Sequence, residues 1–263
     1  MRARGYTVCH TTGPKRAGAI AAAHCEKHKS PAVVLIGGDG TVFESIESLP
    51  LDVPLGVFPS GTVNLLARAL DIPGEIATWL ALLERGSLRP MYFARCNGRP
   101  FTCVGSAGFD AETLRHVKPQ FKKTLQEAAI GLEAFRRYWR HKPSSYRVTL
   151  DDTTVSGPFV GVFFGLQPYY GGRHRIMENA HTERRELDVG LLRGGHKRAL
   201  WRYAIGVRTG RLPRQQGCEL RKATRLRIEA DPPTSVQLDG DFYCETPIEI
   251  EVEKTPRLVL AAG

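Results

Sequence analysis

"VVLIGGDGTVFESI", Val33 to Ile46, decides how the first part of the chain folds. An apolar run of strand length stops at two glycines; an aspartate, a third glycine and a threonine follow, and helical spacing begins at Val42. Ala32–Ile36 has the continuous apolar pattern of a strand buried on both faces. Gly37 and Gly38 remove side chains where that strand ends, so backbone N–H groups can approach an anion and the chain can turn tightly. The helix that follows adds the positive end of its dipole. Thr41 can cap that helix or bond a phosphate oxygen. A bare carboxylate at Asp39 would be repelled by phosphate. It either meets a nucleotide through Mg²⁺ or orders the loop. A tight turn with no further role has the same spelling.

"LGVFPSGTVNLLARAL", Leu55 to Leu70, repeats the plan of strand, short polar loop and helix. Ser60, Thr62 and Asn64 supply hydrogen-bond donors and Gly61 supplies backbone access. Asn64 also reads as a helix-start residue bonding its own backbone. Two such loops at the carboxyl ends of parallel strands open into one crevice. Around them the spacing predicts a strand over Tyr6–His10 and helices over Lys15–Lys29, Val42–Ser48, Val63–Leu70 and Ile76–Glu84. This alternation implies a parallel sheet covered by helices, an α/β unit over residues 1–88.

Beyond residue 88 the pattern changes to half-buried antiparallel strands, expected over Arg89–Cys96, Pro100–Val104, Tyr146–Leu150, Phe159–Phe164, Leu187–Leu192, Thr224–Ile228, Ser235–Leu238 and Ile248–Val252. Helices are expected over Gln120–His141 and near Arg198–Thr209. Residues 89–254 therefore read as a second, mainly antiparallel β unit. "GSAGFDAE", Gly105 to Glu112, reads as a small-residue turn leading to Phe109 and Asp110. "SVQLDGDFY", Ser235 to Tyr243, ends a strand in Asp239-Gly240-Asp241, and Asp-Gly is a favoured hairpin dipeptide.

The 263 residues, 42% hydrophobic and 24% charged, are those of a soluble globular protein. No segment reaches the roughly 18 apolar residues of a membrane span, and the first six residues carry no apolar stretch of a secretory signal. Six scattered cysteines without a Cys-x-x-Cys pair read as reduced cytosolic thiols and offer no zinc spacing. The net charge is +10, with basic tracts over 115–147 and 193–227. Such a field favours a polyanion (phosphate, nucleic acid or an acidic membrane face), and a solvated basic surface gives the same count. Nucleic acid is set aside, because the tracts lack an interleaved aromatic platform and any recognition motif.

Taken together, GGDGT at 37–41, PSGT-x-N at 59–64, GFDA at 108–111 and VQLDGD at 236–241 resemble the diacylglycerol kinase catalytic family, which includes bacterial lipid kinases and sphingosine and ceramide kinases. GGDGT alone is shared with NAD kinases and phosphofructokinases; GFDA and the late DGD favour the lipid kinases. The resemblance implies a Rossmann-like α/β ATP-binding domain followed by a β-sandwich, with the active site in the cleft between them and the tail, residues 255–263, returning to the first domain. It implies that Gly37, Gly38, Asp39, Gly40, Thr41, Ser60, Gly61, Thr62 and Asn64 hold ATP, with Thr11 facing the nucleotide and Asp39 toward Mg²⁺. The late motif is usually Asp-Gly-Glu, which implies Asp239 as general base and Asp241 in the place of the glutamate, one methylene shorter.

The implied activity is transfer of the ATP γ-phosphoryl group to a lipid hydroxyl, in phospholipid metabolism. The implied setting is cytoplasmic and peripheral at the inner membrane face, with the long 120–141 helix and its basic flanks as the docking element on an anionic membrane. Oligomerisation is left open. Two departures stand beside Asp241. The family's first βα unit, with an Asn-Pro turn, has no counterpart here, which suggests a fragment or a late start. Within Gly171–Leu192, Asn179 replaces a proline and Arg184-Arg185 replace an Asp-Gly whose acid anchors Mg²⁺ in some relatives. A catalytically weak nucleotide- or lipid-binding relative is therefore the alternative reading, and a soluble-substrate kinase of the NAD kinase type a further one.

Overall fold

The computed structural model describes residues 6–11, 13, 16–28, 32–117, 132–136, 138–139, 144–170, 174–195 and 197–261. In chain order the elements are α1 (Ala17–His28), β1 (Val33–Gly37), α2 (Asp39–Ser48), β2 (Leu55–Pro59), α3 (Leu65–Ala69), α4 (Ile76–Arg85) and β3 (Ser87–Met91). Next come β4 (Ala94–Cys96), β5 (Arg99–Phe101), β6 (Val104–Gly108), α5 (Phe109–His116), β7 (Ser144–Leu150), β8 (Thr153–Gly165), β9 (Tyr169–Tyr170) and β10 (His174–Arg175). The chain closes with β11 (Leu187–Arg193), α6 (Lys197–Arg208), β12 (Cys218–Ala223), β13 (Arg225–Asp231), β14 (Ser235–Leu238), β15 (Asp241–Glu245), β16 (Ile248–Val252) and β17 (Arg257–Ala261). Two compact units form: Met1–Tyr92 with Lys254–Gly263, and Phe93–Glu253.

The first unit is a four-stranded sheet in the order β1-β2-β17-β3. β1 and β2 run parallel from Val33↔Leu55 to Gly37↔Pro59, and β17 is parallel to β2 but antiparallel to β3. The sheet is thus mixed, and β3 draws the unit on to Tyr92, past the change of pattern at residue 88. Val42, Ile46, Leu55, Val57, Leu66, Leu70 and Trp79 fill the core. Trp79 donates its indole N–H to the Val57 carbonyl at 2.7 Å, satisfying its one polar atom. Glu75 starts α4 by accepting from the N–H groups of Ala77 and Thr78.

Two expectations fail in this unit. Tyr6–His10 is irregular and mostly exposed rather than a strand; among the described residues no strand edge pairs with it, and a lone extended segment gains nothing from its backbone groups. β1 is not buried on both faces either, since only Leu35 is buried and Ile36 is 57% exposed. Among the described strands β1 pairs with β2 alone, so it lies at an edge.

The second unit is an eleven-stranded antiparallel sheet, β15-β14-β6-β8-β7-β13-β16-β4-β5, with β11 also on β8 and β12 on β11. "GSAGFDAE" is not a turn. It is the end of β6 and the start of α5, and its small residues serve close approach: a Cβ on Gly105 would lie 2.2 Å from the Phe164 ring. Gly108, with φ +116°, ends the strand in a conformation that side chains disfavour. Of the helix expected over Gln120–His141, residues 132–136 and 138–139 are helical; 118–131, 137 and 140–143 lie outside the described residues, as do Lys15 and Lys29. No described helix is long and apolar enough to cross a membrane.

Arg257 fixes the last strand in the first unit. Its side chain is fully buried and donates to the carbonyls of Leu49, Pro50 and Val53, which close the connection between α2 and β2. Burial lowers its pKa, and Asp52 works the other way. Arg257→Leu leaves those carbonyls without their donor. The expected loss is about 3 kcal/mol of stability in urea unfolding; a change within experimental error shows that the tie carries no weight.

Candidate active site

The sequence-predicted loops of the first unit come together. Gly37 pairs with Pro59 at the ends of parallel strands, and Ser60 N–H donates to the Gly37 carbonyl at 3.0 Å, so both loops leave the sheet at one level. They then touch. A Cβ on Gly61 would lie 2.6 Å from Gly38 Cα, and one on Gly38 would lie 3.1 Å from Gly61 Cα. Glycine at 61 is what lets the two backbones approach this closely, and a Cβ at 38 would make a tight contact in turn.

Asn64 closes the second loop. It sits at φ 53°, and its amide accepts from Gly61 N–H at 3.0 Å and donates to the Gly61 carbonyl at 2.8 Å. Its side chain is thereby turned away from α3, which it precedes. Asp39 caps that helix instead, its two carboxylate oxygens accepting from Leu65 N–H at 3.0 Å and Leu66 N–H at 3.2 Å. Of the two sequence readings of Asp39, loop ordering is the one with visible contacts. Such a cap is worth about 1 kcal/mol.

The start of α2 carries no side-chain cap. Thr41 and Val42 N–H fold back on the Gly38 carbonyl, and the Thr41 side chain lies over Gly37, where a Cβ would meet it at 2.5 Å. Gly40 is exposed, with nothing within 4 Å of where its Cβ would be. Ser60, Gly61 and Thr62 are exposed beside it. Uncapped first-turn N–H groups, two exposed hydroxyls and a glycine-lined surface are the chemistry of an anion cradle. Thr11 is exposed in the irregular chain ahead of α1.

A metal ion at Asp39 fits under one condition. Among the described residues no three His, Cys, Asp or Glu side chains cluster as a metal would need. With both Asp39 oxygens already accepting backbone bonds, a Mg²⁺ there would need its other ligands from phosphate and water, as Mg²⁺ commonly does.

In the second unit Asp239 and Gly240 are the two central residues of the β14–β15 hairpin, with φ 52° and 90°. Positive φ at both is the primed turn that matches strand twist. The Asp239 carboxylate accepts from the N–H groups of Thr102, Cys103 and Val104 at 3.0–3.1 Å, and its own N–H donates to the Val104 carbonyl. Asp241 is exposed at the first position of β15, opposite Leu238.

A buried network that the sequence did not announce backs this turn. Gly240 N–H donates to Gln237, the Gln237 amide to Ser106 Oγ, and Ser106 Oγ to Asp110 at 2.6 Å; Tyr170 donates its hydroxyl to the other Asp110 oxygen. Gln237 and Ser106 lie inside two of the motifs, whereas Tyr170 carries no motif signal. Burial raises the Asp110 pKa against the pull of Ser106 and Tyr170, and pushes the Tyr170 phenol well above its usual value. At the departures from the family pattern, Arg185 donates to the carbonyls of Glu253 and Val252, and Arg184 lies 3.8 Å from Glu186. Asp188 is buried, and burial raises its pKa.

Asp110 thus keeps its proton in the folded state at pH values where the unfolded chain has lost it. Its contribution is present at low pH and is lost as pH rises through the raised value. Asp110→Asn, which cannot ionise, is expected to flatten the decline in urea midpoint from about pH 4 upward. An unchanged pH profile contradicts the assignment.

Comparison with known proteins gives consistent matches. The family model for the diacylglycerol kinase catalytic domain matches residues 1–96, and that for the YegS C-terminal NAD kinase beta sandwich-like domain matches residues 103–260. A Pseudomonas aeruginosa protein named "Probable lipid kinase YegS-like" is 32% identical over 159 residues, 59% of this chain and 52% of the relative, so the match spans about half of that relative's length. The diacylglycerol kinase of Bacillus subtilis is 26% identical over 90% of this chain and 80% of its own. The crystal structure of a diacylglycerol kinase from Bacillus anthracis superposes with a TM-score of 0.71 at 20% identity, covering 97% of this chain and 84% of that one, a likeness of fold.

Proposed function

The chain belongs to the family of the YegS C-terminal NAD kinase beta sandwich-like domain, preceded by a match to the diacylglycerol kinase catalytic domain over residues 1–96, and from that premise we propose that it transfers the γ-phosphoryl group of ATP to the hydroxyl of a diacylglycerol-type lipid. The observation that carries this reading is the contact of Gly38 with Gly61, which draws two side-chain-poor loops into one cradle. In it the N–H groups of Asp39 and Gly40 at the start of α2 and the hydroxyls of Ser60 and Thr62 bond the phosphate oxygens, and Asn64 holds the second loop in shape. Thr11 faces the nucleotide. Asp39 would hold a Mg²⁺ together with the phosphates, and the ion would supply charge neutralisation when bound.

The lipid hydroxyl oxygen forms a bond to the γ-phosphorus as the bond to ADP breaks, and the hydroxyl proton passes to Asp239. In a loose transition state this transfer comes late, so a carboxylate suffices as base. The three backbone donors on Asp239 fix where its oxygens lie. Asp241 adds a second carboxylate. The enzyme works at the cytoplasmic face of the inner membrane, in phospholipid metabolism.

A second reading has its own support. Asp39 and Asp239 both spend carboxylate oxygens on backbone N–H groups, and Arg185, where relatives carry Asp-Gly, is tied to backbone carbonyls. These features also suit a relative that binds nucleotide without turning it over.

Incubation with Mg²⁺, γ-labelled ATP and mixed lipid hydroxyls separates the two. The expected product is labelled lipid phosphate. Asp239→Asn is expected to lose transfer by about a hundredfold or more while still binding ATP, with a thermal melt confirming that the hairpin holds. Undiminished turnover in a folded variant removes Asp239 as base. ATP binding without any labelled lipid supports the second reading.

A further inference from the structure

Large apolar side chains stand exposed on two helical stretches of the second unit. Phe135 and Trp139, on helical residues 132–136 and 138–139, are 50% and 62% exposed; Trp201 and Ile205, on α6, are 48% and 56% exposed. Tyr138 joins the two stretches. Its ring lies 5.2 Å from that of Trp139 and 5.4 Å from that of Trp201, and it packs on the buried cluster that includes Leu200 and Tyr203. The exposed rings therefore form one anchored face. The chain has three tryptophans; Trp79 is buried in the first unit, and the other two are both here.

The surroundings of this face are basic. The sequence of α6, KRALWRYAIGVR, holds four Lys or Arg and no acid, and Arg198, beside Trp201, is exposed. Arg136, between Phe135 and Trp139, has a side chain 67% exposed. Glu133, 3.9 Å from Arg136, is the one acid on the described residues of the two stretches. A second copy of the chain would set guanidinium groups against guanidinium groups, in a protein of net charge +10. An anionic bilayer meets both demands. Indole and phenyl rings lodge at the headgroup–acyl boundary, and arginines pair with lipid phosphates.

We infer that the face of Phe135, Tyr138, Trp139, Trp201 and Ile205 is where the protein seats itself on an anionic lipid bilayer. This role rests on the lipid-substrate reading for its purpose, and it moves the docking element from one basic helix to an aromatic face shared by two. Charge brings the protein to the surface, and the rings hold it there.

The whole chain is mixed with phosphatidylglycerol-containing vesicles and, separately, with pure phosphatidylcholine vesicles, some carrying brominated acyl chains. On the anionic vesicles tryptophan emission is expected to shift to the blue and to be quenched by bromine; pure phosphatidylcholine is expected to do this weakly. Trp139→Glu with Trp201→Glu is expected to weaken vesicle co-sedimentation by about tenfold or more. Phosphorylation of a monomeric short-chain diacylglycerol should be retained in that variant. Absence of bromine quenching in the unaltered protein overturns the docking role. So does a folded double variant that sediments as well as the original, or a dimer in sedimentation velocity that these substitutions dissociate. Vesicle binding that depends on this face in a protein that phosphorylates no lipid leaves the docking standing and removes the kinase reading.

Discussion

The first unit depends on one close approach of two backbones. Gly61 sits against Gly38 where a side chain would hold the loops apart, and much of the local geometry follows from their contact. The parallel register of β1 with β2 sets the loops side by side, and the Ser60–Gly37 bond keeps them level. With Asn64 spent on closing its own loop, α3 needs a cap from elsewhere, and the contact brings Asp39 within reach of it. The aspartate at the centre of the glycine turn therefore locks one loop to the helix of the other. What the pair leaves uncovered is the start of α2 and a surface of glycine and hydroxyl, which suits the oxygens of a phosphate chain.

The second unit handles its acidic turn in a related way. Asp239 is pinned by three successive backbone donors, and Gly240 by Gln237, which leads through Ser106 to Asp110 and Tyr170. A carboxylate on a two-residue hairpin would otherwise swing with its side-chain torsions. Here its position is inherited from β6 and β14. The GFDA and VQLDGD motifs, far apart in sequence, are thus two ends of one hydrogen-bonded assembly, which is a physical reason for finding both in one chain.

The alternation of strands and helices was legible because each period is local. Ser235–Leu238 and Ile248–Val252 are read to the residue, and α4 nearly so. The failures came where tertiary contact overrides local pattern. Tyr6–His10 has the look of a strand, but among the described residues no edge pairs with it. The small residues of β6 spell a turn, yet Gly105 is small because Phe164 lies against it, and Gly108 because Val160, Gly161 and Tyr146 do. β12 and β15 carry too little alternation to be seen alone, and exist because β11 and β14 offer them edges. At the candidate site the glycine loops announced themselves. The bond from Asp39 to α3, across 26 residues, and the part played by Tyr170 did not, because no spacing rule encodes which side chain meets which backbone in a folded sheet.

Calorimetric titration of ATP into the unaltered protein and into Gly61→Ala tests the cradle most directly. The added Cβ, 2.6 Å from Gly38 Cα, must part the loops. The expected result is an affinity weaker by about tenfold or more, at least about 1.4 kcal/mol, in a variant that still unfolds cooperatively. An alanine variant that binds ATP as tightly as the original contradicts the account.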